Sequence, residues 1–364
     1  MKCLVTGGAG FIGSTLCRHL IARGCTVVNI DKLTYAASPT SLASIASHPQ
    51  YTFYCLDVCD RDGIASVFAR EQPDAVMHLA AESHVDRSIG EPASFISTNV
   101  VGTYHLLEAA LEYFATLSGD HADRFRFLHV STDEVFGSLG REGAFTEATA
   151  YNPNSPYSAS KASSDHLVNA WHGTYGLPVI VTHSCNNYGP YQFPEKFIPL
   201  VITNAIMGHE LPVYGNGQNV RDWLHVEDHA EALLEVLIKG AIGERYNIGA
   251  RSERSNLAVV RSIGDYLDDR LPRSASHRDT ICFVADRPGH DFRYAIDPSK
   301  VEREIGWRPK HNFEAGLAET IEWYIANQAW WLDIRHKRYE GERLGFNERP
   351  SHSSRDLMTP AQSG

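Results

Sequence analysis

The sequence predicts an α/β fold, a doubly wound parallel sheet joined to a smaller mixed α/β unit. Three observations carry that expectation. Short apolar runs alternate with stretches of helical period through the first half of the chain. The first run ends in the glycine-rich turn Gly7-Gly8-Ala9-Gly10-Phe11-Ile12-Gly13. After Asn187 the composition changes, and Gly, Pro, Tyr and Phe crowd into Tyr188–Pro194, as where a chain leaves one sheet for another unit.

Taken in order, Lys2–Thr6 is the first strand, followed by a helix over residues 11–23 with Ile12, Leu16, Leu20 and Ile21 on one face. Cys25–Ile30 and Tyr51–Leu56 are the next strands, closing on Asp31 and Asp57. Asp74–Ala80 is strand four and Phe125–Val130 strand five, which places Thr132 just past its end. One long helix is expected from Ala93 to Leu117 and another from Pro156 to Tyr175. Val179–Thr182 is strand six, Val226–Ile238 a helix, and Arg245–Ile248 a strand returning to the main sheet. A helix from Phe313 to Gln328 ends the fold. The expected division gives residues 1–187, with returns near 222–249 and 313–330, to a dinucleotide-binding domain. Residues 188–221, 250–312 and 331–349 go to a second domain, and 350–364 are expected to be a disordered tail.

The chain has 364 residues, 43% of them hydrophobic, enough for two units that share a core. Its net charge of -11 gives no bulk attraction for nucleic acid or an anionic membrane, so an anionic ligand must be caught by local Arg and Lys. Met1–Thr6 reads as a strand rather than a leader, and no apolar run nears the roughly 20 residues of a membrane span. The seven cysteines are scattered, with no CxxC pair, which fits reduced thiols in a cytoplasm.

Gly7, Gly10 and Gly13 follow a strand and open a helix, the setting of a Rossmann cradle in which backbone N–H groups meet a pyrophosphate. Asp31 closes the second strand 18 residues beyond Gly13, where a carboxylate suits ribose hydroxyls and repels a 2′-phosphate. The expected cofactor is therefore NAD, although a basic residue such as Lys32 beside that carboxylate could tolerate a phosphate. Asp57 and Val58 suit the adenine edge, and Leu79, Ala80 and Ala81 leave room for the nucleotide.

Tyr157 and Lys161 lie four apart on a helix, hence on one face. An ammonium there would lower the phenol pKa and hold the nicotinamide ribose, leaving Tyr157 to take a hydroxyl proton as hydride departs. Thr132 can hydrogen-bond the same substrate oxygen. Asp133 and Glu134 add two carboxyl groups that simple alcohol oxidation does not need, and different surroundings can keep one an acid and the other a base. Oxidation, elimination and reduction in one site would use all five. His225 and His229, four apart, lack a third metal ligand and read as cap and flank of the helix starting at Val226, so no metal is expected. Trp323, Tyr324, Trp330 and Trp331 read as packing.

The strings TGGAGFIGS, DKLTYA, HLAAESHVDRSI, STDEVFG, PYSASKASSD, NNYGPYQFPEKFIPL, VYGNGQNVRDWLHVEDH and ADRPGHDFRYAID span residues 2 to about 330. With them the chain resembles the extended short-chain dehydrogenase/reductases and, among these, the dTDP-glucose 4,6-dehydratase family. The resemblance implies hydride transfer from C4 of the glucosyl unit to NAD, with Tyr157 as base and Thr132 and Lys161 assisting. Glu134 would take the C5 proton while Asp133 protonates the departing C6 hydroxyl, and hydride would return to C6. NAD would stay bound, and the 4-keto-6-deoxy product would feed deoxysugar synthesis such as that of dTDP-rhamnose. The family's cofactor positions fall on Phe11, Ile12, Lys32, Leu33, Thr34, Ser83, Thr98 and Asn187, beside those already named. Its substrate positions fall on Ser83, Thr132, Asn186, Lys196, Phe197, Arg221, Asn256, Arg287 and His290, with Pro212, Val213 and Tyr214 as the thymine pocket. It also implies a homodimer pairing the two long helices with their symmetry mates.

Some positions depart from the family's usual pattern: Phe136, His183, Cys185, Ala250-Arg251-Ser252 and Phe292. They bear on nucleotide preference, affinity or interface rather than on the reaction. The nearest rival, a sugar-nucleotide 4-epimerase or decarboxylase on the same fold, would need neither Asp133 nor Glu134, and a dehydratase for another nucleotide sugar, UDP- or CDP-linked, is the other alternative. A non-catalytic dinucleotide-binding regulator would not need Tyr157 with Lys161.

Overall fold

A computed structural model describes residues 1–339; the tail expected at 350–364 and the end of the 331–349 segment lie outside the described residues. Twelve strands are present among them: β1 (Lys2–Thr6), β2 (Thr26–Asp31), β3 (Tyr51–Cys55), β4 (Ala75–His78), β5 (Arg126–Thr132), β6 (Val179–Ser184), β7 (Asn186–Tyr188), β8 (Leu211–Tyr214), β9 (Val220–His225), β10 (Arg245–Ile248), β11 (Glu253–Ser255) and β12 (Ile281–Val284).

Seven strands form one sheet in the order β10-β6-β5-β4-β1-β2-β3, and every neighbouring pair is parallel. The winding reverses between β1 and β4, so a crevice opens beyond their carboxyl ends. Buried apolar cores cover both faces, one built on Leu16, Leu20, Val27 and Leu128, the other on Val28, Phe68, Leu106 and Phe127. Sequence and structure agree on this sheet, including the return of Arg245–Ile248 to it.

Three elements differ from expectation. Thr132 is the last residue of β5 rather than a residue past it. The helix expected over 93–117 is broken: Pro92–Phe95 is α, Ile96–Gly102 is a π turn, and Thr103–Phe114 is α again. The side chain of Asn99 explains the turn, because it accepts from Glu82 N (2.8 Å) and donates to Glu82 O (3.0 Å) and Ser160 Oγ (2.8 Å). Third, helix Phe313–Ala326, assigned from sequence to the first domain, buries Phe313, Leu317, Ile321 and Tyr324 against helix Phe197–Met207 and helix Asn256–Arg270 in a separate core.

That core belongs to the smaller lobe, which also holds the sheet β11-β9-β7 and the parallel pair β12-β8. Trp331 is packed inside it, with Trp323 and Trp330 at its margin. Among the described residues no helix is long and apolar enough to cross a membrane.

Candidate active site

The turn after β1 needs its glycines for space. Gly7 has φ +74° and donates its N–H to Ile30 O at 2.8 Å; a Cβ there would lie 2.8 Å from the Ala80 backbone. A Cβ on Gly13 would lie 2.1 Å from Gly7 O. Helix Phe11–Ala22 starts on this turn with its first amides toward the crevice. Asp31 accepts from Ala9 N (2.9 Å) and Leu33 N (2.8 Å), which hold the carboxylate beside the turn. Burial nevertheless raises its pKa.

A cleft of about 310 Å³ runs from this cradle to the end of β5. Gly7, Gly10, Phe11, Ile12, Gly13, Asp31, Lys32, Thr34, Val58, Leu79, Ala80, Ala81, Ser83 and Thr98 line one end of it. Thr132, Asp133, Glu134, Tyr157, Lys161, Asn186, Asn187 and Lys196 line the other. Leu33 and Asp57 stand outside the lining. Leu33 takes a left-handed turn (φ +56°), and Asp57 lies 3.5 Å from Lys32. Lys32, also 3.8 Å from Glu82, is thus flanked by two carboxylates, which removes the allowance made for a 2′-phosphate. The buried Asp133 Oδ2, Asn186 Oδ1 and Gln192 Oε1 have no partner among the described residues. A cradle with no room for a Cβ at Gly7 or Gly13 and unpartnered polar atoms along one cleft fit a dinucleotide with a polar substrate beside it.

Helix Pro156–Tyr175 sets the acid–base pair. Ser155 and Ser158 form a reciprocal cap, Pro156 occupies the first turn, and Gly176 ends the helix in a left-handed conformation. Tyr157 and Lys161 are both buried on its inner face. The expected effect of Lys161 on Tyr157 is not what the structure has. Lys161 donates to Val130 O at 2.8 Å, and its Nζ lies 3.5 Å from His129 Nε2. The Tyr157 phenol is pushed well above its usual pKa by burial, then by Glu134, while a hydrogen bond with Thr132 opposes. Burial brings Lys161 down to about 8.

The two carboxyl groups have unlike surroundings. Asp133 is 1% exposed, and burial, then Glu134 and Asp222, hold it well above the usual carboxylate range. Burial also raises Glu134, but Arg287, Arg221 and Lys196 pull it back. Burial thus favours the protonated form of Asp133 more strongly than that of Glu134.

The other substrate candidates stand on the smaller lobe outside the cleft lining. Arg221 donates to Val220 O (2.7 Å) and Asp291 O (3.0 Å), with its guanidinium 4.2 Å from the Tyr294 ring centroid. Arg287 (2.8 Å) and Tyr214 (3.0 Å) both donate to Asp86 of the first lobe. His290 pairs with Asp286 at 2.6 Å and meets the Tyr214 ring edge-on. Pro212 and Val213 lie in β8, with Val213 fully buried in the lobe core. Phe197 stacks on Trp223, and Asn256 N donates to Asn219 O at 2.9 Å. His225 caps its helix, as the sequence implied, and stacks on His311 at 4.0 Å; His229 bonds Asn187 at 2.8 Å.

Sequence reasoning missed the support behind Lys161. Asp165 is fully buried, accepts from Ser131 Oγ at 2.8 Å, and lies 3.2 Å from His129 Nε2 and 3.0 Å from His183 Nε2. Despite burial, these bonds hold its carboxyl far below the usual range. The signal was present, since Asp165 is four residues past Lys161 and shares its face. His183 also explains a departure: its ring packs on Phe136 at 4.8 Å, so the two unusual residues are neighbours.

Known proteins resemble this chain over nearly its whole length. The family profile described as GDP-mannose 4,6-dehydratase matches residues 4–320. The dTDP-glucose 4,6-dehydratase of Escherichia coli is 56% identical over 362 residues, covering 96% of this chain and all of that one. The crystal structure of DesIV, a dTDP-glucose 4,6-dehydratase from Streptomyces venezuelae with NAD and TYD bound, is similar with a TM-score of 0.85. It is 44% identical and covers 92% of this chain and 100% of that one. A UDP-glucose 4-epimerase from Thermotoga maritima, solved with UDP-glucose, shares the fold at a TM-score of 0.80 but 28% identity, covering 90% of this chain and all of its own.

Proposed function

The chain belongs to the dTDP-glucose 4,6-dehydratase family, and from that premise we propose that it converts dTDP-glucose to dTDP-4-keto-6-deoxyglucose and water with a retained NAD. The observation that carries this reading is the placing of Asp133 and Glu134 beside Tyr157 at one end of the dinucleotide cleft. An epimerase or a simple dehydrogenase has no use for that second acid and base.

Gly7–Gly13 and Asp31 would hold NAD, which when bound would supply a hydride acceptor for C4 and a donor for C6. Tyr157 removes the C4 hydroxyl proton while Thr132 holds the same oxygen. Its phenol starts high, so that transfer would need positive charge nearby, which the ammonium of Lys161, one helix turn along, and a bound oxidised nicotinamide would supply. Once C4 is a ketone the C5 hydrogen is acidic. Glu134, where three cations oppose the upward push of burial, takes it; Asp133, held high by burial, gives its proton to the departing C6 hydroxyl, and Glu134 returns a proton to C5 as hydride adds to C6. Lys196, Arg221 and Arg287 supply the positive charge a diphosphate requires in an acidic protein.

A homodimer and a cytoplasmic setting accompany this reading. Ile96, Val101, Tyr104 and Tyr175 are exposed on the two long helical segments, and Tyr104, Trp171 and Tyr175 form a continuous aromatic row there. Such a face suits a symmetry mate of the same helices. Seven free cysteines fit a reducing compartment.

The test is incubation of the purified protein, without added NAD, with dTDP-glucose and separately UDP-glucose, followed by mass spectrometry and NMR. Loss of one water from dTDP-glucose is expected. A change confined to C4 would move the chain to the epimerases, and no change even with NAD supplied would sink the reading.

A further inference from the structure

In the proposed cycle the cofactor is spent and restored within one turnover, so its escape halfway would strand a keto sugar. The mouth of the cofactor end is closed by contacts that the chemistry does not use. Residues 34–38 run from β2 over the adenosine side of the cleft, with Thr34, Ala36 and Ala37 lining it. On the facing side Phe193, Glu195 and Lys196 of the smaller lobe line the same cleft. Glu195 bridges the two. Its carboxylate, 1% exposed, accepts from Tyr35 OH at 2.9 Å and from Arg87 Nε at 2.9 Å. The Arg87 guanidinium lies 4.0 Å from the Tyr35 ring centroid, and Phe193 meets that ring edge-on at 5.7 Å. The strap is held further along, where Ser38 N donates to Ala9 O of the glycine turn and Trp330 Nε1 donates to Ser38 Oγ, both at 2.9 Å.

We infer that Tyr35, Glu195 and Arg87 form a clasp that joins the cofactor strap to the smaller lobe and sets the rate at which NAD leaves. The inference rests on the proposed function only in taking the cofactor to be NAD. The Tyr35–Glu195 bond must break before the strap can lift, because residues 34–38 and Glu195 belong to opposite walls, and Arg87, bonded to the same carboxylate and packed on the Tyr35 ring, holds both partners in place. Their positions leave the reacting atoms alone, so the clasp acts through cofactor residence rather than through chemistry.

The experiment measures exchange of bound NAD for deuterium-labelled NAD by mass spectrometry in the full chain, alongside nucleotide content after desalting. Tyr35→Phe keeps the ring on Phe193 and Arg87 but removes one bond, and Glu195→Gln weakens both. Each is expected to exchange roughly tenfold faster than the parent. The double variant should exchange no faster than the faster single, since both break one unit. A merely structural role would instead move thermal stability without this shared ceiling. Exchange at the parent rate in Tyr35→Phe would overturn the clasp even if Glu195→Gln failed to fold. Independent, multiplying effects in the double would also overturn it. A parent protein that holds no NAD after reconstitution would fail the cofactor reading itself, and the clasp with it.

Discussion

The two ends of the cleft are built by opposite means. The cofactor end is shaped by missing side chains: Gly7 and Gly13 sit where a Cβ would come within 2.8 Å of backbone atoms. The sugar end is shaped by side chains that hold one another across the lobes. Asp86 takes Arg287 and Tyr214 from the far lobe, and Lys196 reaches Ser83 O at 2.8 Å. A backbone cradle is fixed once its strand and helix form. A network of charged side chains is fixed only when both lobes are in place, and it keeps charges at positions that cost stability.

The largest effect should come from the sugar end. Glu134→Gln is expected to lower product formation by about 10³-fold, within the usual range for a general base, while reduction of bound NAD by dTDP-glucose persists. Near-normal turnover would remove Glu134 from the C5 step. The cofactor end should respond in a graded way that follows its geometry. Gly13→Ala places a Cβ 2.1 Å from Gly7 O, so bound nucleotide and thermal stability should both be lost. Gly10→Ala meets only Gly7 O at 3.2 Å within the chain, so it should lose NAD while unfolding near the temperature of the NAD-free parent. Equal loss of stability in both would mean that the turn, rather than the ligand's approach to it, needs the glycine at position 10.

This contrast also explains what the sequence made legible. The cradle, Asp31, and the pair Tyr157 and Lys161 are short-range patterns: a strand, a turn, a helix start, and a four-residue repeat on one helix face. The same local logic located the strands of the main sheet. What escaped was set by contacts distant in the chain. The π turn at Ile96–Gly102 is held by Glu82 and Ser160, which no local periodicity reports. Helix Phe313–Ala326 is apolar enough to pack anywhere, and only the finished smaller lobe decides where. Lys161 follows neither rule. Its place was readable, but its partner in this structure is the β5 backbone at Val130 rather than the phenol, because a buried ammonium takes the acceptor within reach.

A smaller effect is expected for the phosphate-side cations. Arg221 spends its hydrogen bonds on backbone oxygens, at Val220, Asp291 and Phe292, so Arg221→Met strands no hydrogen-bonded carboxylate, although it removes one of the three cations near Glu134. Arg287→Met leaves Asp86 with its Tyr214 bond alone among the contacts described above. Both should raise KM for dTDP-glucose, Arg221→Met by roughly tenfold to a hundredfold, and only Arg287→Met should also lower the unfolding temperature appreciably. If both variants lost stability equally, the sugar end would not be held by the cross-lobe pair.

The last effect has the opposite sign. Lys161 is buried, and its pKa of about 8 lies below the roughly 10.4 of an unfolded lysine. At pH 7 both states carry the proton, so the folded protein bears the full cost of burying the charge. As pH rises through 8 the folded state releases the proton first, and the cost shrinks until the unfolded lysine also titrates. Lys161→Met should therefore be inactive but more stable at pH 7, by up to about 3 kcal/mol, with the gap closing as the pH approaches 10. Thermal unfolding of parent and variant at pH 7 and pH 10 measures it. A variant less stable than the parent at pH 7 would show that the bond to Val130 O and the nearby Asp165 outweigh desolvation. The ammonium would then be a structural asset of the site, and the sugar end no less settled than the backbone cradle.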